Sequence, residues 1–198
     1  MRRDELEHII RAAGAIINDK HLIIVGSQSI LGQYPEGLPF VVTHSIEADI
    51  LPMGGSIERK GDVIEGALGD GSPFWETFGI WAHGVEEDSL TFPQGWRDRL
   101  IPICNDNTLG ITGYCLEVHD LLVSKYVAGR EKDLRYCSAV AKAGLVNKES
   151  LLQRLHETDC GLEIRRRAET NVERDFSKDG RQQYYEPEPI EFDKDFER

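Results

Sequence analysis

"HLIIVGSQSILGQYPEGLPFVVTHSIEADILP", His21 to Pro52, decides how the chain is read. His21 to Val25 is a short continuous apolar run rich in β-branched residues, the pattern of a strand covered on both faces. Gly26-Ser27 turns the chain, and "SQSILGQ" has room for a short helix before Pro35, Gly37 and Pro39 interrupt regular structure. "FVVTHSIEADIL" then resumes an extended pattern, which puts Glu47 and Asp49 on a second strand or at its end. Ala48 separates them, so on a strand both carboxylates point to one face.

That stretch supports two readings. A glycine after a buried strand lets the backbone approach a ligand, and the serine adds a hydroxyl beside the free amides of the next helix, so Gly26-Ser27 suits a phosphate. Two carboxylates on one strand face can share a divalent cation, Mg2+ or Mn2+. The plainer alternative puts Glu47 and Asp49 on a solvated face, with Ile46, Ala48 and Ile50 packed inward.

Upstream, Leu6, Ile9, Ile10, Ala13 and Ile17 recur at helical spacing, with Asp4 and Glu7 placed for a capping box and Asn18-Asp19 as the stop. Downstream, a short amphipathic helix is predicted from Asp62 to Leu68, then strands in "FGIWAHGV" and "RLIPICN". After Gly113 the apolar spacing turns helical, and Asn147 caps a helix over "KESLLQRLHET" before another that carries Arg165, Arg166 and Arg167. The fold class is therefore α/β with a helical C-terminal half. Residues 1–113 form the α/β core, 114–176 a helical region packed on it, and 177–198 a polar, acidic tail.

The chain has 198 residues, 40% of them hydrophobic, enough to bury a substantial core. Its net charge of −12 argues against general binding of duplex DNA through phosphates. "MRRDELEHII" lacks the apolar stretch of a secretory signal and no apolar run reaches membrane-spanning length, so a cytoplasmic protein with no membrane partner is expected. Cys104, Cys115, Cys137 and Cys160 show no metal-binding spacing and read as small core residues; Trp75, Trp81 and Trp96 likewise read as core. There is no Walker lysine loop, dinucleotide fingerprint or Gly-x-Ser-x-Gly elbow.

The order strand, Gly-Ser, short helix, strand with acid-x-acid resembles the nucleotidyltransferase superfamily, the fold shared by DNA polymerase β. More closely, "GSQSIL", "SIEADI", "GSPFWETFGIWAHGV", "FPQGWRDRL" and "DLLVSKYVAGREKD" are similar to the nucleotidyltransferase-like family DUF6036, and more remotely to AbiE-type toxin nucleotidyltransferases. The resemblance implies a small mixed β-sheet flanked by helices and a metal-dependent transfer of a nucleoside monophosphate from an NTP. It implies that Gly26 and Ser27 hold the triphosphate and that Glu47 and Asp49 bind the Mg2+ ions bridging it. Lys125 matches a lysine on a helix facing the cleft, and Lys132-Asp133 a following pair; with Arg130 these form a cluster that serves either the site or the helix itself. The acceptor would be an RNA end, a protein hydroxyl or a small molecule, and a cognate antitoxin is a further implied partner.

The sequence departs from the superfamily's pattern in three places. Glu47 stands where the usual leading residue is Asp, and 19 residues lie between Ser27 and Glu47, room for an added loop. "FGIWAHGV" offers His83, to which no role is assigned, where active members often have a third carboxylate. These departures keep open a catalytically inactive nucleotide- or partner-binding module on the same fold. A structural protein docking through tail aromatics Tyr184, Tyr185, Phe192 and Phe196 is a third reading.

Overall fold

The structure, a computed structural model, describes residues 1–54 and 57–177. The tail aromatics lie outside the described residues. The described chain is a mixed α/β protein built on one five-stranded sheet.

Helix α1 (Arg3–Ile17) precedes strand β1 (His21–Val25), where Leu22 to Val25 are all buried as the continuous apolar run requires. A 3₁₀ turn (Ser27–Gly32) and one helical turn, α2 (Phe40–Thr43), lead to β2 (Glu47–Pro52). Helices α3 (Ile57–Leu68) and α4 (Pro73–Phe78) precede β3 (Trp81–Gly84), followed by β4 (Ile101–Ile103) and β5 (Thr112–Cys115). Four helices complete the described chain: α5 (Val118–Ala128), α6 (Glu131–Lys142), α7 (Lys148–His156) and α8 (Leu162–Phe176).

The strand order is β3-β2-β1-β5-β4. β1 runs antiparallel to β2 and parallel to β5; β2 and β3 are parallel, and β4 closes the far edge antiparallel to β5. α5 is buried on nearly every side and packs against α6, α7 and α8. The 3₁₀ turn after β1 touches α5, joining the sheet to the helical half.

Several local expectations are corrected. α1 starts at Arg3, and Glu5, not Glu7, accepts the N-terminal amide of Arg2 at 2.6 Å. Glu7 is instead buried and takes side-chain hydrogen bonds from Asn105 and Asn107 at 2.9 and 2.8 Å. Phe40–Thr43 is helical rather than extended because β1 pairs only as far as Asp49 and β3 only as far as Glu47, leaving Phe40–Thr43 no strand to pair with. Ile46 therefore stays 43% exposed while Ala48 and Ile50 go inside. α3 begins at Ile57, earlier than Asp62. Phe78 ends α4, whose first turn is capped by Ser72, so β3 starts later than the apolar run suggests. Trp96 is buried, but Trp75 and Trp81 are half-buried. Cys115 and Cys137 are core residues, Cys160 is half-buried and Cys104 is exposed. Among the described residues no helix is long and apolar enough to cross a membrane.

One backbone contact fixes β3 against α3. A Cβ on Gly84 would lie 2.3 Å from the carbonyl oxygen and 2.5 Å from the Cα of Gly61. Gly84→Ala is expected to cost about 1–3 kcal/mol through overpacking against backbone that cannot swing aside. Urea unfolding should show a lower midpoint at unchanged slope.

Candidate active site

β2 carries Glu47 and Asp49 on one face, both half-exposed, and Ala48 and Ile50 on the buried face. Parallel pairing with β3 sets Trp81 beside Glu47 and His83 beside Asp49, so His83 joins the carboxylates on their face. His83 Nδ1 lies 3.6 Å from Glu47 Oε1 and 3.7 Å from Asp49 Oδ1. One ligand atom from each of Glu47, Asp49 and His83 falls within 4.8 Å of the others, the spacing of donors around a shared cation.

Gly26 sits where the backbone must be glycine. Its φ of 63° and ψ of −167° belong to a region nearly closed to residues with a side chain. A Cβ there would lie 1.7 Å from Asp49 Oδ2, so the bare Cα is what lets the carboxylate rest against the end of β1. The Gly26 carbonyl accepts hydrogen bonds from Ser29, 2.8 Å from its hydroxyl, which fixes the turn.

Helices α5 and α6 clamp that turn. Lys125 Nζ donates to Ser27 Oγ at 2.9 Å and to Asp133 Oδ1 at 3.1 Å, and stands 4.5 Å from the centre of the Tyr136 ring. The Tyr136 hydroxyl donates to the Ser27 carbonyl at 2.7 Å. Arg130 Nε meets the second Asp133 oxygen at 2.5 Å. Lys125 is 9% and Asp133 1% exposed, so this is a buried charge pair held by further hydrogen bonds. Lys132, exposed on α6, also lines the cleft.

The electrostatics divide the cleft in two. Burial, then the neighbouring Asp49 charge, pushes the Glu47 carboxyl up. Burial also pushes Asp49 up, against the opposing pull of His83, Lys125 and Lys132. Burial alone would raise Asp133 too, but Arg130 and Lys125 outweigh it and hold this carboxyl below its ordinary range. Asp133 is thus already neutralised, whereas Glu47 and Asp49 carry charge that their surroundings leave undercompensated. A divalent cation would supply what is missing, so the donor set fits Mg2+ or Mn2+.

These residues line one cleft of about 800 Å³. Gly26, Ser27, Glu47, Asp49, Lys125, Lys132 and Asp133, all singled out from sequence, lie together in it. His83, which the sequence names without a role, joins them, and so does Tyr136, which the sequence does not single out. His83 differs from an ordinary strand residue only through its register with Asp49, and Tyr136 only through the folding of α6 over Ser27.

The family model for nucleotidyltransferases of unknown function, DUF6036, matches residues 4–183. The chain belongs to this family. No significant match is found among curated proteins or among solved structures. The match to DUF6036 covers the sheet, the cleft and the helices that close it.

Proposed function

We propose that the chain is a metal-dependent nucleotidyltransferase that moves a nucleoside monophosphate from an NTP to an acceptor hydroxyl. The observation that carries this reading is the meeting of the undercompensated Glu47–Asp49 pair with the Gly26-Ser27 turn and Lys125 in one cleft. Glu47 and Asp49 hold Mg2+ or Mn2+, which supplies neutralisation of phosphate charge when bound. The amides around Gly26-Ser27, with Lys125 and Lys132, orient the triphosphate, while Asp133 and Arg130 keep Lys125 in place. Val85, Leu90, Phe92 and Leu121 provide an apolar wall for a base or an acceptor ring. The acceptor hydroxyl attacks the α-phosphorus, pyrophosphate leaves, and the hydroxyl proton passes to water in the cleft.

The test is transfer of label from α-phosphate-labelled NTPs, with Mg2+ or Mn2+, into whole-cell RNA, protein and small molecules. Label is expected with the wild type and is expected to be lost in Asp49→Asn. Its recipient identifies the acceptor as an RNA end, a protein hydroxyl or a small molecule.

A second reading is a binding module that retains the fold and serves a partner, such as a cognate antitoxin in a toxin–antitoxin or defence pair. The observation that favours it is the exposure of three apolar side chains just ahead of β2: Phe40 is 83% exposed, Val41, which lines the cleft, 37%, and Ile46 43%. Nucleotide binding with no transfer to any acceptor would support this reading instead.

A further inference from the structure

The two ring nitrogens of His83 face two different sets of carboxylates. Nδ1 looks toward Glu47 and Asp49 at 3.6 and 3.7 Å, beyond direct hydrogen bonding but within the spread of ligands around one ion with bonds of about 2.1 Å. Nε2 looks the other way, toward Glu65 Oε2 of α3 at 3.9 Å. Gly61 and Gly84 bring Glu65 there: their bare backbones let α3 close onto β3, and Glu65 follows Gly61 by one helical turn on the same face. With a cation between Glu47 and Asp49, Nδ1 is the nitrogen placed to ligate it, and Glu65 is placed to accept the proton that Nε2 then carries.

We propose that His83 is the third protein ligand of the cation, bound through Nδ1 and oriented by Glu65, and that this nitrogen donor makes the site select Mn2+ over Mg2+. The inference rests on the reading of Glu47 and Asp49 as metal ligands. Mg2+ is held by oxygen donors and gains little from an imidazole, whereas imidazole suits first-row transition metals. Mn2+ takes the same carboxylate oxygens as Mg2+ and, as a first-row transition-metal ion, gains more than Mg2+ does from a nitrogen donor beside them. A third carboxylate in place of His83 would remove that preference. His83 would therefore set metal identity, and Glu65 would be a positioning residue acting through it.

The experiment uses the full chain loaded with Mn2+ and read by electron spin-echo envelope modulation, which detects nitrogen bound directly to the ion. Nitrogen coupling is expected in the wild type and in Glu65→Gln, and is expected to vanish in His83→Asp. Competition titration should show the Mn2+ to Mg2+ affinity ratio falling at least tenfold in His83→Asp. Glu65→Gln should weaken Mn2+ binding by about tenfold. Mn2+ bound without nitrogen coupling, or a ratio unchanged in His83→Asp, overturns the inference while leaving Glu47 and Asp49 as ligands. Mn2+ binding that is absent, or that survives Asp49→Asn unchanged, overturns the reading of the metal site itself and this inference with it.

Discussion

Gly26→Ala is expected to abolish metal-dependent nucleotide binding and label transfer while leaving a folded sheet. Two costs meet at this position. The conformation at φ 63° and ψ −167° is one that only glycine adopts readily, so any side chain adds about 1–3 kcal/mol of strain. The new methyl would also lie 1.7 Å from Asp49 Oδ2 and 2.7 Å from its Cγ, so the carboxylate must leave its position. Rotating Asp49 away relieves the clash but separates it from Glu47 and His83, which would remove the proposed cation site. The loss should therefore appear in isothermal titration with Mn2+ and an NTP, while circular dichroism stays native. Ser27→Ala is the comparison: it removes only the hydroxyl that accepts from Lys125, and it should weaken nucleotide binding without eliminating Mn2+ binding. If Gly26→Ala bound Mn2+ as the wild type does, the close approach of Asp49 to the turn would carry no functional weight.

The residues closest to this turn were also the most legible in the sequence. The continuous run His21 to Val25 fixes β1, and the spacing of Glu47 and Asp49 fixes their common face, because both depend on local period alone. β5 does not stand out from the helical pattern after it because "TGYC" is four residues long and contains Gly113. A Cβ on Gly113 would lie 2.5 Å from Ile10 Cδ1, so that glycine answers to α1 packing on the sheet rather than to any strand pattern. α2 misled for the opposite reason: Val41, Val42 and Thr43 favour strands, but extended structure needs a partner, and β1 has ended. His83 lies far from Asp49 in sequence and meets it through strand register, and Glu65 reaches His83 through a helix–strand contact; neither leaves a local signal.

The helix that delivers Lys125 is held by charges outside the cleft, and there the expected effect is on stability. Glu117 caps α5, accepting the amide of His119 at 3.0 Å, and its other oxygen lies 2.8 Å from His119 Nδ1. His119 Nε2 accepts the amide of Asn147 at 3.1 Å, so its proton sits on Nδ1 and is donated to Glu117. Arg154 of α7 pairs with Glu117 and lies 3.0 Å from Asp120, and Asp120 also takes two bonds from Arg99 at 2.8 and 3.0 Å. Burial would raise the Glu117 carboxyl, but His119 and Arg154 outweigh it and bring it from 4.5 down to about 2. Because the folded value is the lower one, this stabilisation is present in full above pH 4.5 and disappears as pH falls toward 2. The side chain is only 12% exposed, so solvent screening takes little away, and the shift corresponds to about 3 kcal/mol. Glu117→Gln keeps the shape and one acceptor but loses the charge, and should lower unfolding free energy by up to about that amount at pH 7. Wild type and variant should converge as pH approaches 2, which urea unfolding across that range would show. A difference that stayed constant with pH would mean that hydrogen-bond geometry, not charge, holds the start of α5. Folded Glu117→Gln should still bind metal and nucleotide, since Lys125 and its contacts lie two turns further along the helix.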